Sequence, residues 1–180
     1  EDFNWVIHLS PRNYYAYYKR GFVYTRKKEY DTAIQDFSEA IRLKRDYAWS
    51  YFNRAHTYTL KGENDQAFND YSTAIRMSPN LPDFVSAYNN RGLIYSKRGE
   101  HAKAIKDFTQ AIRLKPTRML PYRNRAISYR QTGELDKAKA DFNKAEDLES
   151  SSNERPTRTA NDPRKQSIHD IPIFAFYSTS

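Results

Sequence analysis

VSAYNNRGLIYSKRGEHAKAIKDFTQAIRLKPTR, residues 85–118, reads as two amphipathic helices joined by a glycine turn. Tyr88, Gly92 and Tyr95 recur at spacings of four and three, and so do Ala104, Phe108 and Ala111 further on. Such spacings gather the small and apolar residues onto one face of each helix. Gly99 stands between the halves, where a helix C-terminus favours a residue with positive φ. Pro116 closes the second helix.

The same 34-residue pattern occurs at 14–47, 48–81 and 119–152, with starts spaced 34, 37 and 34 residues apart. Numbered within the repeat, position 4 is Tyr17, Tyr51, Tyr88 and Tyr122, and position 11 is Tyr24, Tyr58, Tyr95 and Tyr129. Position 8 is small throughout: Gly21, Ala55, Gly92 and Ala126. Positions 20 and 27 are alanine in every copy, and position 24 is Phe37, Tyr71, Phe108 and Phe142. Small residues allow paired helices to approach closely, and the aromatics fill the space around them. The turn glycine is kept as Gly62, Gly99 and Gly133, but Lys28 replaces it in the first copy. Asp31, Asp65 and Asp136 then sit where a carboxylate suits the start of the second helix. Residues 82–84 are an insertion close to one helical turn, with Pro82 near a helix start.

This pattern resembles the tetratricopeptide repeat over residues 14–152, and residues 2–11 match the second helix of a preceding copy. The resemblance implies an all-α, right-handed superhelical solenoid of antiparallel helix hairpins. The expected organisation is 1–13 as the second helix of a truncated repeat, four full repeats over 14–152, and a linker and tail over 153–180. It also implies a non-enzymatic scaffold that holds a peptide or partner helix in a concave groove lined by the first helices. Groove positions 2, 5, 6, 9, 12 and 13 give Tyr15, Tyr18, Phe22, Trp49, Phe52, Asn53, His56, Asn89, Asn90, Arg123, Asn124 and Arg130 as candidate contacts. The asparagines suit a peptide backbone, since each amide both donates and accepts. The aromatics suit apolar anchors, and Arg123 and Arg130 suit carboxylates. The carboxylate clamp of chaperone-binding members is not matched: Tyr18, Phe22, Ser86 and Asn90 stand at four of its five places, and only Asn53 fits.

Composition narrows the rest. The chain has 180 residues, a net charge of +8, fifteen tyrosines and no cysteine. Thiolate metal sites and a cysteine nucleophile are thereby excluded, and no apolar run reaches the ~18 residues of a membrane span. The four histidines are scattered, no hydrolase, P-loop or dinucleotide motif is present, and no cofactor is expected. Arg20, Arg54, Arg91 and Arg125 at position 7 match Asp36, Asp70, Asp107 and Asp141 at position 23, which reads as one structural ion pair per repeat. The positive charge that remains allows a basic nucleic-acid-binding solenoid as an alternative. A regulatory arm of a larger enzyme is another, and the cytoplasm is the favoured compartment.

Residues 153–180 break the period. A polar stretch carries Pro156 and Pro163, and the apolar segment IHDIPIFAFYSTS follows at 168–180. That segment has three readings: a cover for the last repeat, an occupant of the groove of its own or a neighbouring array, or a loose end.

Overall fold

The computed structural model describes residues 3–153. Nine α-helices run in chain order, and no strand occurs among the described residues. A short α1 (Phe3–Leu9) precedes four helix pairs: α2 (Tyr14–Arg26) with α3 (Tyr30–Leu43), α4 (Ala48–Lys61) with α5 (Asn64–Met77), α6 (Val85–Lys97) with α7 (His101–Leu114), and α8 (Met119–Gln131) with α9 (Leu135–Asn153). Each second helix also packs on the first helix of the next pair, so the pairs stack into a solenoid. The first helices α2 and α4, and likewise α6 and α8, touch directly, more closely than any two second helices do. At these two junctions the first helices lie on the inner side of the bend.

Within each pair the turn is built from the same bonds. The position-16 glutamate donates its backbone N–H to the carbonyl of the position-11 tyrosine: Glu29 to Tyr24 at 3.0 Å, Glu63 to Tyr58 at 2.9 Å, Glu100 to Tyr95 at 2.9 Å and Glu134 to Tyr129 at 2.8 Å. This is the closure of a Schellman turn, which requires a left-handed residue just before it. Gly62, Gly99 and Gly133 supply φ of 89°, 75° and 82°, and Lys28 adopts 64°.

The core follows the small positions. The alanines at positions 20 and 27 are buried in all four pairs, as are Phe37, Tyr71 and Phe108. Close approach is real at Gly92, where an added Cβ would lie 2.7 Å from the Phe108 ring.

Each position-7 arginine ties two pairs together. Arg54 donates from Nε and Nη2 to both carboxylate oxygens of Asp70, at 2.7 and 2.9 Å, and from Nη1 to Ser38 Oγ of the preceding pair at 2.9 Å. Arg91 and Arg125 do the same with Asp107 and Ser72, and with Asp141 and Thr109. Arg20 joins Asp36 to Asn4 of α1. Such two-pronged arginine–carboxylate pairs are geometrically specific. The guanidinium carbons of Arg54, Arg91 and Arg125 also lie 5.7–6.0 Å from the tyrosine rings at positions 4 and 11 of their own helices. The repeated tyrosines thus flank an arginine as well as filling space.

The insertion at 82–84 forms a 3-10 turn, Pro82–Phe84, leading straight into α6, with Pro82 in its first positions. Phe84 is fully buried, stacked on Phe52 at 5.3 Å and edge-on to Trp49 at 5.2 Å. The apolar segment at 168–180 lies outside the described residues.

Candidate functional site

At roughly 100° per residue, positions 4, 7, 8 and 11 of a first helix face its paired second helix, and positions 2, 5, 6, 9, 12 and 13 fall on the opposite side. That side, on α2, α4, α6 and α8, is the inner wall of the curve. The structure divides the twelve residues expected there into three groups.

The first group is packed against neighbouring helices. Asn53, 1% exposed, donates Nδ2 to the Tyr18 hydroxyl at 3.2 Å and to the Trp49 carbonyl at 2.9 Å. Asn124 donates to Asn89 Oδ1 at 2.8 Å, and Asn90 donates to the Tyr71 hydroxyl at 2.9 Å. Phe52, His56 and Tyr18 are buried as well. These asparagines hold helix to helix, a different setting from the open row that their spacing suggests. Thr25 and Thr57, whose hydroxyls meet at 2.9 Å, form a further buried link between α2 and α4. Burial pushes the Tyr18 phenol well up, with Tyr47 and Tyr15 adding to the effect.

The second group lines the inner wall. Tyr15 is 46% exposed, stacks on Tyr18 at 5.8 Å and has Lys19 Nζ 5.1 Å from its ring centre. Phe22 and Trp49 are half-buried. Leu60, Leu93 and Ile127 occupy positions 13, 9 and 9 of later first helices and are half-buried or exposed. These three were not singled out from sequence, although the position numbering that selected Phe22 points to Leu93 and Ile127 equally.

Arg123 and Arg130 form the third group. In earlier pairs position 5 is covered by the next first helix at Tyr18 and Asn89, and position 12 at Thr25. No further pair follows α9 among the described residues, so both arginines sit on the end face. Arg123 there donates to Glu149 at 3.1 Å, and Arg130 is exposed.

The wall therefore offers half-exposed rings and aliphatic side chains beside a lysine, which is chemistry for holding an apolar side chain. Among the described residues, no group of three or more His, Asp or Glu side chains could hold a metal ion, and no helix is long and apolar enough to cross a membrane.

Stacked helix pairs with small, aromatic and glycine positions in register define a helical-repeat protein. Family models of the tetratricopeptide repeat match residues 85–118 and 122–152, and a TPR repeat model matches 23–60 and 55–99. The chain belongs to the tetratricopeptide repeat family. Among solved structures it is similar to a crystal structure of MamA, 26% identical with a TM-score of 0.76, covering 84% of this chain and 86% of that one. A second crystal structure of MamA protein is 25% identical, with a TM-score of 0.73 and coverage of 89% and 85%. MamA 41-end from Desulfovibrio magneticus RS-1 shares the fold at 16% identity, with a TM-score of 0.72 and coverage of 81% and 80%. No curated protein matches the chain. Membership of this family supports a role as a protein-interaction scaffold.

Proposed function

We propose that this scaffold is non-enzymatic and binds an extended or helical segment of a protein partner along the inner wall of α2, α4, α6 and α8. The observation that carries this reading is the run of Tyr15, Phe22, Trp49, Leu93 and Ile127. These residues stay partly open beside Asn53, Asn90 and Asn124, which are spent on packing. Apolar rings left partly open on one surface are where binding energy concentrates. The partner segment would bring aromatic or aliphatic anchors to the wall, with acidic residues near Lys19 at one end and Arg123 and Arg130 at the other.

Replacing Tyr15 and Leu93 together by glutamate avoids the residues packed in the two core clusters. The expected result is a loss of at least tenfold in binding to arrayed peptides that carry an aromatic anchor beside acidic residues, with the helical circular dichroism signal unchanged. Equal binding by the wild-type and substituted chains would remove the inner wall as the site.

A further inference from the structure

We propose that the chain's own apolar segment, residues 171–177, occupies the inner wall of its own array, so that a partner segment has to displace it. This inference rests on reading that wall as a peptide surface.

Four observations lead to it. The segment contains Ile171, Ile173, Phe174, Phe176 and Tyr177, with Pro172 favouring extended backbone. Its composition is that of the apolar peptides proposed above as occupants of the wall. Secondly, the end face beyond α9 is a poor place for it. Arg123, Arg130 and Glu149 line that face, and α9 runs to Asn153 with exposed Glu146, Asp147 and Ser150, so the last pair already ends in polar groups. Thirdly, the length suits the wall. Seventeen residues, 154–170, separate Asn153 from Ile171. A flexible chain of that length spans about 23 Å on average, at ~5–6 Å times the square root of the residue number. α6 packs directly on α8, at about the 8–10 Å of neighbouring packed helices, so its face lies well within that reach. Finally, the Arg123–Glu149 bond sets the last turns of α9 beside the first turns of α8. The connection thus leaves the array at the level where Tyr15 and Trp49 stand on their own helices.

A tether of this kind supplies an effective concentration on the order of millimolar. If nine-tenths of the molecules have the wall occupied, the apparent affinity for an external segment falls about tenfold.

The test uses the full chain. Phe174 is replaced by photoreactive benzoylphenylalanine, and the adducts formed at high dilution are located by mass spectrometry. Intramolecular adducts on α2, α4 or α6, near Phe22, Leu60 or Leu93, are expected. Adducts on α9 with none on the first helices, adducts between chains, or none at all would overturn the proposal. In a second arm, wild type and the full chain bearing Ile173→Asp, Phe174→Asp and Phe176→Asp are titrated with a labelled synthetic peptide of residues 168–180. At least tenfold tighter binding to the substituted chain is expected. Equal binding to both chains defeats self-occupation while leaving the peptide surface standing. Binding to neither defeats both readings.

Discussion

At the scale of single residues, Lys28 is where this repeat departs from its own rule. It holds φ of 64° at the turn where Gly62, Gly99 and Gly133 stand. The turn bonds are kept, with the Glu29 N–H on the Tyr24 carbonyl at 3.0 Å, so the geometry is imposed by the hairpin rather than chosen by the lysine. A left-handed side-chain residue costs about 1–2 kcal/mol, part of which a glycine returns as extra freedom in the unfolded chain. Lys28→Gly is therefore expected to stabilise the array by about 1 kcal/mol. In thermal denaturation this is a rise of roughly 2–4 °C for a domain of this size. An unchanged or lower midpoint would mean that the lysine gains something at this turn that outweighs the strain. The arginine ties show what a sequence can carry at this scale. The pairing of Arg54 with Asp70 follows from two invariant positions sixteen residues apart. The third partner, at position 25, is Asn4, Ser38, Ser72 and Thr109 in turn. Their shared role is accepting one N–H bond, and a change of residue type from copy to copy hides it.

At the scale of elements, the insertion between the second and third repeats turns from an irregularity into a junction. Alignment of the copies assigns residues 82–84 no position, so nothing in the repeat marks Phe84 as core. The 3-10 turn places its ring against Phe52 and Trp49, between α4 and the start of α6. Phe84→Ala is expected to destabilise the protein by about 3–5 kcal/mol, as for a fully buried aromatic. Because the loss falls at the junction, amide exchange in α4 and the first turn of α6 should quicken more than in α8. A cost below about 1 kcal/mol in urea titration would show that Phe52 and Trp49 close the space unaided. The helices themselves were legible because their signals are local: spacing, turn glycine and proline. Which face of a first helix stays open was not, because it depends on the neighbour. Position 10 makes the point. Thr57, Ile94 and Ser128 are buried, whereas Val23 is 37% exposed because no first helix precedes α2 among the described residues.

At the scale of the whole molecule, the tyrosines couple the stability of the array to alkaline pH. Tyr71 is fully buried, and burial pushes its phenol up to about 12, while hydrogen bonds from Thr59 and Asn90 act in the opposite direction. Burial also raises Tyr18, Tyr47, Tyr58 and Tyr88. In the unfolded chain these phenols release their protons near pH 10. Between about 10 and 12 the folded array still holds protons that the unfolded chain has given up, so stability falls as pH rises through that window. Their contribution is complete below pH 10, and from Tyr71 alone it amounts to about 2–3 kcal/mol. Urea denaturation at pH 8, 10 and 11, with tyrosinate absorbance followed in parallel, should give full stability at the first pH and a steep loss by the last. Tyr71→Phe should reduce the alkaline loss in part, with Tyr18, Tyr47, Tyr58 and Tyr88 still contributing. At neutral pH it should cost about 1–3 kcal/mol, because the Asn90 amide keeps a buried donor without its hydroxyl acceptor. Stability that is level from pH 8 to 11, or an alkaline loss unaltered in Tyr71→Phe, would show that ionisation of this buried phenol does not govern the array.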